Sequence, residues 1–194
     1  MRSNGNQGGF VKIGALALSG LIVLSALPVQ SQAAEQAKPG PEHKKLEMWA
    51  GEFRHEGNGE VSPFSPVASE FKGTISARIA LGGFFVHGES RDMDEHGNFF
   101  HAIWLMGYDE KEKAYFLHGY EADGTHFRAR GQASGHIWTF TSTRMDGEGK
   151  EYMWKMVMSF SSDGRTHTEV SEYSADDGKT WATMYRAKMT KVSP

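Results

Sequence analysis

The chain has 194 residues, with 21 basic side chains, 24 acidic side chains, nine histidines and no cysteine. A slightly acidic chain has no general attraction to nucleic acid or to anionic lipid, and without cysteine it cannot be stabilised by disulfides. Its stability must come from side-chain packing, and its length suits a single domain.

The first 33 residues have the three parts of a secretion signal. Arg2 and Lys12 supply positive charge, residues 13–27 are apolar, and Ala33 ends a stretch of small residues suited to a signal peptidase. Because the apolar run is shorter than the roughly 20 residues that span a bilayer, the sequence predicts cleavage near Ala33 rather than a membrane anchor. Without the two basic residues of the signal, 19 basic side chains remain against 24 acidic ones, a net charge of −5. We expect a secreted or periplasmic protein that binds neither nucleic acid nor membrane.

After the signal, residues 34–40 read as a polar tether, and residues 41–192 as one domain. The domain begins with a short amphipathic segment in which Leu46, Trp49 and Phe53 recur at helical spacing. Pro41 suits a first helical turn, and Gly51 ends the segment. Such a short helix cannot stand alone in water, so we expect it to plug one end of the sheet that follows.

From Gly51 onward, alternating runs of about eight to ten residues are separated by turn signals. The predicted strands are 51–61, 70–81, 84–91, 99–108, 114–121, 125–133, 136–144, 152–161, 165–174 and 180–191. Asp-Gly pairs between strands favour hairpins, and sequential hairpins make antiparallel neighbours. A flat sheet of ten strands would have two unpaired edges, so the sequence predicts an all-β, up-and-down antiparallel barrel with a short N-terminal capping helix.

Two-residue turns at Asp123-Gly124 and Ser134-Gly135 would fix the cross-strand partners of three strands, because side chains alternate between the two faces. These turns put mostly polar side chains, including Arg128 and Arg130, on the outside. The predicted inner face consists of Phe116, His118, Tyr120, Phe127, Ala129, Trp138 and Phe140.

The next strand carries an inner face of aromatic and methionine side chains from Tyr152 to Phe160. A two-residue turn at Asp163-Gly164 then places His167, Glu169 and Tyr173 on the inner face of the following strand. An inward carboxylate needs a hydrogen bond, an ion pair or water. The alternative is a one-residue bulge that would turn Glu169 outward.

Several motifs carry a family resemblance, namely Pro41-Glu42-His43, Trp49-Ala50-Gly51-Glu52-Phe53, 81–89, 104–109, Glu172-Tyr173-Ser174 and 177–181. Together they resemble the bacterial domain of unknown function 1579 family over nearly the whole mature chain. The resemblance implies a lipocalin-like, or calycin-type, closed barrel with a cavity, and it brings no catalytic residues. Calycin barrels commonly begin with Gly-x-Trp packed on a basic residue of the last strand. Gly51-Glu52-Phe53 is similar, with Phe53 where Trp is usual or with Trp49 in that space instead, and Arg186 or Lys188 would be the basic partner.

Two histidine–glutamate pairs, His87 with Glu89 and His167 with Glu169, have a spacing that puts both side chains on one face of a strand. A zinc site would require the two pairs to converge, and a metal-dependent hydrolase would depend on that. An inward His118 is also the candidate for an axial haem ligand. Motifs for a catalytic nucleophile or a phosphate-binding glycine loop are absent, so we predict no catalytic residues, no metal and no cofactor.

The leading hypothesis is a non-enzymatic barrel that binds a small, largely apolar or aromatic ligand between inner aromatic side chains. The rival hypothesis is a protein-interaction module with a filled barrel. The predicted ligand-binding residues are Trp104, His118, Tyr120, Trp138, Trp154, Glu169 and Tyr173.

Overall fold

The computed structural model describes residues 37–192. The predicted signal and residues 34–36 of the predicted tether lie outside the described residues. Within residues 37–192, no helix is long and apolar enough to cross a membrane.

The domain begins with a capping segment, α1 (Pro41–Lys44), which continues as a 3₁₀ turn over Lys45–Trp49. The backbone N–H of Gly40 donates to Nδ1 of His43 at 3.2 Å and so satisfies one of the free donors at the helix start. Leu46 and Trp49 are buried, which confirms the predicted apolar face.

Ten strands follow, and each overlaps its predicted position within a few residues. They are β1 (Gly51–Gly59), β2 (Ser69–Ala80), β3 (Phe85–Asp94), β4 (Phe99–Asp109), β5 (Ala114–Glu121), β6 (His126–Ser134), β7 (Ile137–Met145), β8 (Glu151–Phe160), β9 (Thr166–Ser174) and β10 (Ala182–Lys191). A short 3₁₀ turn at Leu81–Gly83 joins β2 to β3.

The strands form a closed antiparallel barrel in which each strand pairs with its neighbours in sequence and β1 pairs with β10. Closure pairs the backbone N–H and C=O groups that the two edge strands of an open sheet would leave unpaired. One irregularity lies between Thr183 and Tyr185 of β10, where the register with β9 shifts. The predicted up-and-down barrel is therefore confirmed.

The predicted inner face of β5 was wrong. Glu121 N–H donates to the carbonyl of Thr125 at 2.9 Å, so the turn between β5 and β6 contains three residues, with Gly124 at φ 90°. The extra residue shifts the alternation by one, as a bulged hairpin does. The buried inner side chains of β5 are consequently Tyr115 and Leu117.

His118 and Tyr120 belong to the outer face of β5. His118 pairs with Arg128 on β6 and Leu105 on β4, and Tyr120 is 50% exposed. Both residues had been predicted as ligand-binding side chains inside the barrel, and the three-residue turn places them on the opposite side of the wall.

The other face predictions hold. The β6–β7 register differs by two residues from the predicted one. Because side chains alternate between the two faces, a shift of two residues leaves each side chain on its predicted face. Trp138 and Phe140 therefore point inward, and both are fully buried. Phe160 lies opposite His167, as the two-residue turn at Asp163-Gly164 predicts. Glu169 is therefore inside and buried, and the bulge alternative is wrong.

Candidate functional site

The barrel interior has two halves, one at the closed end and one at the mouth. The closed end is the end that the capping segment covers, and the mouth is the opposite end, bordered by the loops 60–68, 95–98, 122–125, 146–150 and 175–181. Inward side chains near the closed end are buried almost completely. These are Leu46, Trp49, Phe53, Val86, Met106, Tyr115, Leu117, Trp138, Phe140, Met158, Phe160 and Met189. Inward aromatic side chains nearer the mouth are of two kinds: Trp104, Phe127, Tyr173 and Tyr185 are partly buried, whereas Tyr152 and Trp154 are buried.

Trp49 fills the centre of the closed end. Its ring lies 5.5 Å from Trp138, 5.2 Å from Phe160 and 6.2 Å from Trp104, each in an edge-to-face arrangement that aromatic pairs prefer. The hydroxyl of Tyr115 donates to the Glu42 carboxylate and thereby fastens α1 to β5. The capping segment is therefore a structural plug, as predicted.

The basic residue at the closed end is Lys191, and the prediction of Arg186 or Lys188 was wrong. Lys191 Nζ lies 5.8 Å from the centre of the Phe53 ring and donates to the carbonyl of Ala50 at 3.0 Å. Arg186 and Lys188 are exposed because they alternate with the buried Ala187 on β10 and so face outward.

A belt of polar and ionisable side chains crosses the interior on the inner faces of β1, β3, β9 and β10. His55 Nδ1 lies 2.9 Å from Asp92 Oδ1, and both residues are buried. The Tyr185 hydroxyl donates to Oε1 of Glu169. We name these four residues, His55, Asp92, Glu169 and Tyr185, the polar belt.

The electrostatics of the belt follow from its burial. Burial raises the pKa of the Glu169 carboxyl, which the hydrogen bond from Tyr185 only partly offsets. The pKa of the Tyr185 phenol is raised well above its usual value, first by burial and then by the nearby Glu169 carboxyl. Burial alone would lower the pKa of His55, but its hydrogen bond to Asp92 and the neighbouring carboxylates outweigh this and raise the pKa.

Gly73 on β2 has no side chain, and this leaves space for the Asp92 carboxylate. Gly73 pairs with both His55 and Asp92, and a Cβ at this position would collide with the Asp92 side chain and with the carbonyl of Arg91. The backbone of β2 can therefore approach the His55–Asp92 pair closely, as interior glycines in strands often permit.

Several buried polar atoms in the interior have no hydrogen-bond partner among the described residues. They are Nε1 of Trp49, Nε2 of His55, Nε1 of Trp138, Oγ of Ser142 and Nδ1 of His167. Buried donors and acceptors are nearly always satisfied, so these atoms call for interior water or a ligand.

A second ionic pair lies on the inner face near the mouth. Arg144 donates to Glu121 at 2.7 Å, and its guanidinium lies 5.0 Å from the ring of Phe127 and 5.8 Å from that of Phe64. Phe64 comes from the loop between β1 and β2, and its ring also packs 5.5 Å from Tyr152. The loop is thus held over part of the mouth by aromatic contacts.

Five of the seven predicted ligand-binding residues do face the interior. Trp104 Nε1 donates to Ser90 Oγ at 3.3 Å, and Trp154 Nε1 donates to Ser171 Oγ at 2.8 Å. Trp138 lies in the sealed half, Glu169 lies opposite Met158 of that half, and Tyr173 lies nearer the mouth.

The two histidine–glutamate pairs do not converge. His87 and Glu89 alternate with the buried Val86, Gly88 and Ser90 and therefore lie on the outer face of β3. There Glu89 pairs with Arg91 and His101. His167 and Glu169 lie inside the barrel, so the wall separates the pairs and excludes the metal site that required their convergence. His118, on the outer face, likewise cannot be an interior haem ligand.

Sequence analysis missed His55, Asp92, Tyr185, Arg144 and Glu121. One signal was available for His55, since Phe53 is a predicted core residue and a side chain two positions along a strand lies on the same face. The contact of Asp92 with His55 depends on the registers of β1 and β3 on β2, and that of Tyr185 with Glu169 depends on the shift in β10, and local patterns specify neither.

The structure is therefore a closed ten-stranded antiparallel barrel with one plugged end, an architecture compatible with the lipocalin-like barrels that the sequence resembles. A model of the family described as "Protein of unknown function (DUF1579)" matches residues 38–191, so the chain belongs to this family. Among solved structures, Rv2717c from M. tuberculosis is similar with a TM-score of 0.57 and 10% sequence identity, over 79% of this chain and 99% of that chain. At this identity the likeness concerns the fold alone. A search of curated proteins found no match.

Proposed function

We propose that the protein binds a small, largely apolar or aromatic ligand in the half of its barrel nearest the mouth. The observation that carries this proposal is the partial exposure of three inward aromatic rings there, Trp104, Phe127 and Tyr173, which lie beside the buried Tyr152 and Trp154. Aromatic walls with a few inward polar groups are typical of small-molecule sites. At the closed end, Trp49 packs on Trp138 and Phe160 and fills the interior.

The apolar area of a small ligand limits the affinity. A ligand that buries roughly 300 Å² of apolar surface gains about 7 kcal/mol from the hydrophobic effect before the cost of association. This corresponds to a dissociation constant in the micromolar range or weaker. Entry also requires Phe64 to move, since its loop packs over the mouth.

A neutral fluorescent probe, N-phenyl-1-naphthylamine, tests the proposal. We expect saturable fluorescence enhancement with the mature protein, and binding at least about fivefold weaker for Trp104→Ala, which removes an inward ring. The matched control is Ile103→Ala, because Ile103 neighbours Trp104 but is 44% exposed on the outer face. Absence of saturable binding, or equal losses in both variants, contradicts the proposal. Native mass spectrometry of protein purified from its own host would then identify a ligand carried by the barrel.

Export belongs to the same proposal. The basic start, the apolar run and the small residues before position 34 support cleavage after Ala33 and a secreted or periplasmic location. Intact-mass measurement of the protein from periplasmic and culture fractions should give a chain that begins at Ala34. A full-length chain in the cytoplasmic fraction would refute export.

A second candidate function, a protein-interaction module, is favoured by a different feature. A groove of about 650 Å³ on the wall formed by β10, β1, β2 and β3 is lined by side chains of both charges, including Lys72, Glu70, Arg186 and Glu56. Its charged side chains are exposed on the outer side of the wall, whereas Phe71, which also lines it, packs 5.2 Å from His55 inside the barrel. If Lys72→Glu together with Arg186→Glu abolishes cross-linking to a partner in the host and leaves probe binding unchanged, the outer wall is an interaction surface.

A further inference from the structure

The loop between β1 and β2 crosses the mouth of the barrel. Residues 60–68 join two adjacent strands, yet the ring of Phe64 packs 5.5 Å from that of Tyr152 on β8 and 6.4 Å from that of Tyr173 on β9. The same ring faces Arg144 of β7, a strand that lies four strands from β1 and five from β2 in the closed order. The loop therefore reaches the opposite side of the barrel and covers the half in which a ligand is proposed to bind.

The tip of this loop is a preformed turn. Ser62 and Ser65 exchange backbone hydrogen bonds at 2.8 and 3.2 Å, and Ser62 Oγ accepts from the N–H groups of Phe64, at 3.3 Å, and Ser65, at 3.2 Å. Pro63 occupies the turn position that suits its fixed φ. Because the turn satisfies its own hydrogen bonds, it can move as one body, and the packing of the Phe64 ring is what holds its tip over the mouth.

Arg144 holds this ring and is itself held in place. Its Nη2 donates to Glu121 Oε1 at 2.7 Å, and its guanidinium lies 5.0 Å from the centre of the Phe127 ring and 5.8 Å from that of Phe64. A guanidinium within about 6 Å of an aromatic ring centre attracts that ring. The Phe64 side chain remains only partly buried, so its release requires far less free energy than unfolding of the barrel does.

A cavity of about 310 Å³ borders the loop on the side of the turn between β3 and β4. Three residues of the loop and three residues at that turn line it, namely Ser65, Pro66, Val67, Asp94, His96 and Asn98. Because β3 follows β2 in the wall, movement of the loop into this cavity would carry Phe64 away from β7, β8 and β9.

We propose that residues 60–68 form a lid over the mouth, that Arg144 is its catch, and that the lid opens toward the β3–β4 turn to admit and release the ligand. The role in ligand entry rests on the proposed function, whereas the lid itself can be tested without a ligand. Since the chain contains no cysteine, one introduced thiol reports access to the interior. Ser142 is suited to this, because it lies two residues before Arg144 on the inner face of β7 and its buried Oγ has no partner within residues 37–192.

The rate at which iodoacetamide labels the thiol of Ser142→Cys measures how often the lid opens. We expect Phe64→Ala to raise this rate about tenfold or more, because the burial of the ring favours the closed state. Val61→Ala, in the same loop but 63% exposed, should leave it unchanged. A second thiol, Ala77→Cys, is buried at the closed end and should be labelled at the same slow rate with or without Phe64→Ala. An unchanged rate at position 142, or an equal rise at both positions, overturns the lid.

Two further variants test the catch and the direction of opening. Arg144→Lys keeps the charge but lacks the flat guanidinium, so it should speed labelling in the wild-type background and add nothing to Phe64→Ala. His96→Trp should fill the cavity and slow labelling severalfold, whereas His136→Trp, exposed between β6 and β7, should have no effect. Fully additive effects of Arg144→Lys and Phe64→Ala contradict the catch, and an unchanged rate in His96→Trp contradicts the direction of opening.

Stopped-flow fluorescence with N-phenyl-1-naphthylamine connects the lid to ligand entry. Phe64→Ala should accelerate association of the probe about tenfold, in parallel with thiol labelling, whereas Val61→Ala should not. Equal association rates in the wild type and Phe64→Ala overturn the gating role and leave the proposed function standing. If the probe binds neither protein, the proposed function fails, and the labelling rates still decide whether the lid exists.

Discussion

At the scale of single residues, the interior combines an aromatic core with ionisable groups that burial perturbs. His167 is the clearest case, because its ring packs between Phe160, at 4.6 Å, and Phe53, at 4.9 Å, and its Nδ1 has no partner within residues 37–192. Burial, reinforced by the nearby His55, lowers its pKa to about 4 from the ordinary 6.5. The folded protein therefore resists protonation of this side chain.

This histidine makes the protein sensitive to acid. An unfolded chain binds a proton at His167 below about pH 6.5, whereas the folded chain does so only near pH 4, so stability is full above 6.5 and is lost as the pH falls through this window. We expect the residue to account for a loss of about 2–3 kcal/mol in the free energy of unfolding between pH 7 and pH 4.5. His167→Phe, which suits the aromatic surroundings, should remove that part of the loss.

Urea denaturation of the wild type and the variant at both pH values measures the difference. His126→Phe, at an exposed position on the outer face of β6, serves as the control and should follow the wild type. If His167→Phe loses as much stability on acidification as the wild type does, the buried imidazole is not the acid-sensitive group.

The face of the barrel wall on which a residue lies was predictable where the alternation of side chains and a short turn were enough to fix it. Trp154 was correctly placed inside because its strand has one continuous apolar face. Trp138 and Glu169 were correctly placed because the turns before their strands keep the predicted alternation of faces. His118 and Tyr120 were misplaced by one extra turn residue. The contact of His55 with Asp92, 37 positions apart, depends on the registers of β1 and β3 on β2, and the long loop 60–68 between β1 and β2 does not let local patterns fix the first of these registers.

At the scale of elements, turn length decides which face of a strand is inside. The β5–β6 turn adopts its three-residue form with Gly124 at φ 90°, a conformation that side chains disfavour. The Asp123-Gly124 pair is equally compatible with a two-residue turn, because aspartate and glycine are common in both two-residue and three-residue hairpin turns. The sequence therefore predicted the hairpin but not the face.

Gly124→Ala should destabilise the protein by about 1–2 kcal/mol, because the left-handed backbone penalises a Cβ even though no atom lies within 4 Å of the new methyl group. The control is Gly147→Ala, which also has open space around it but needs no positive φ and should change stability by less than about 0.5 kcal/mol. Thermal or urea unfolding distinguishes the two. Equal effects of the two substitutions would mean that the turn tolerates a side chain.

The capping segment is the second element whose role can be tested. Trp49 is 6% exposed and contacts rings from β4, β7 and β8. Trp49→Ala should cost about 3–5 kcal/mol, as the loss of a buried large aromatic side chain does, without altering the order in which ligands are preferred. Glu47→Ala, on the exposed side of the same 3₁₀ turn, should have little effect. A Trp49→Ala variant of normal stability would show that the segment is dispensable.

At the scale of the whole molecule, closure is the property on which the interior depends. The first and last strands share a ladder of seven residue pairs, from Phe53 with Lys191 to Gly59 with Tyr185. Alternation and the number of strands predicted closure, because it removes both sheet edges. The register of β1 on β10, which brings His55 beside Met189, and that of β9 on β10, which brings Glu169 beside Ala187, required the structure.

Removal of β10 should therefore unfold the domain. A mature chain that ends at Trp181 loses the buried Met184, Ala187 and Met189 and leaves β1 and β9 as open edges, which favour aggregation. We expect loss of the near-ultraviolet circular dichroism of the aromatic core, and aggregation in size-exclusion chromatography. The matched control ends at Val192 and should behave as the mature protein does. Addition of the missing strand as a peptide of residues 182–192 should restore part of the aromatic signal, because the two exposed edges provide its hydrogen-bonding partners. A truncated chain that stays monomeric with a native aromatic spectrum would show that the core forms without closure.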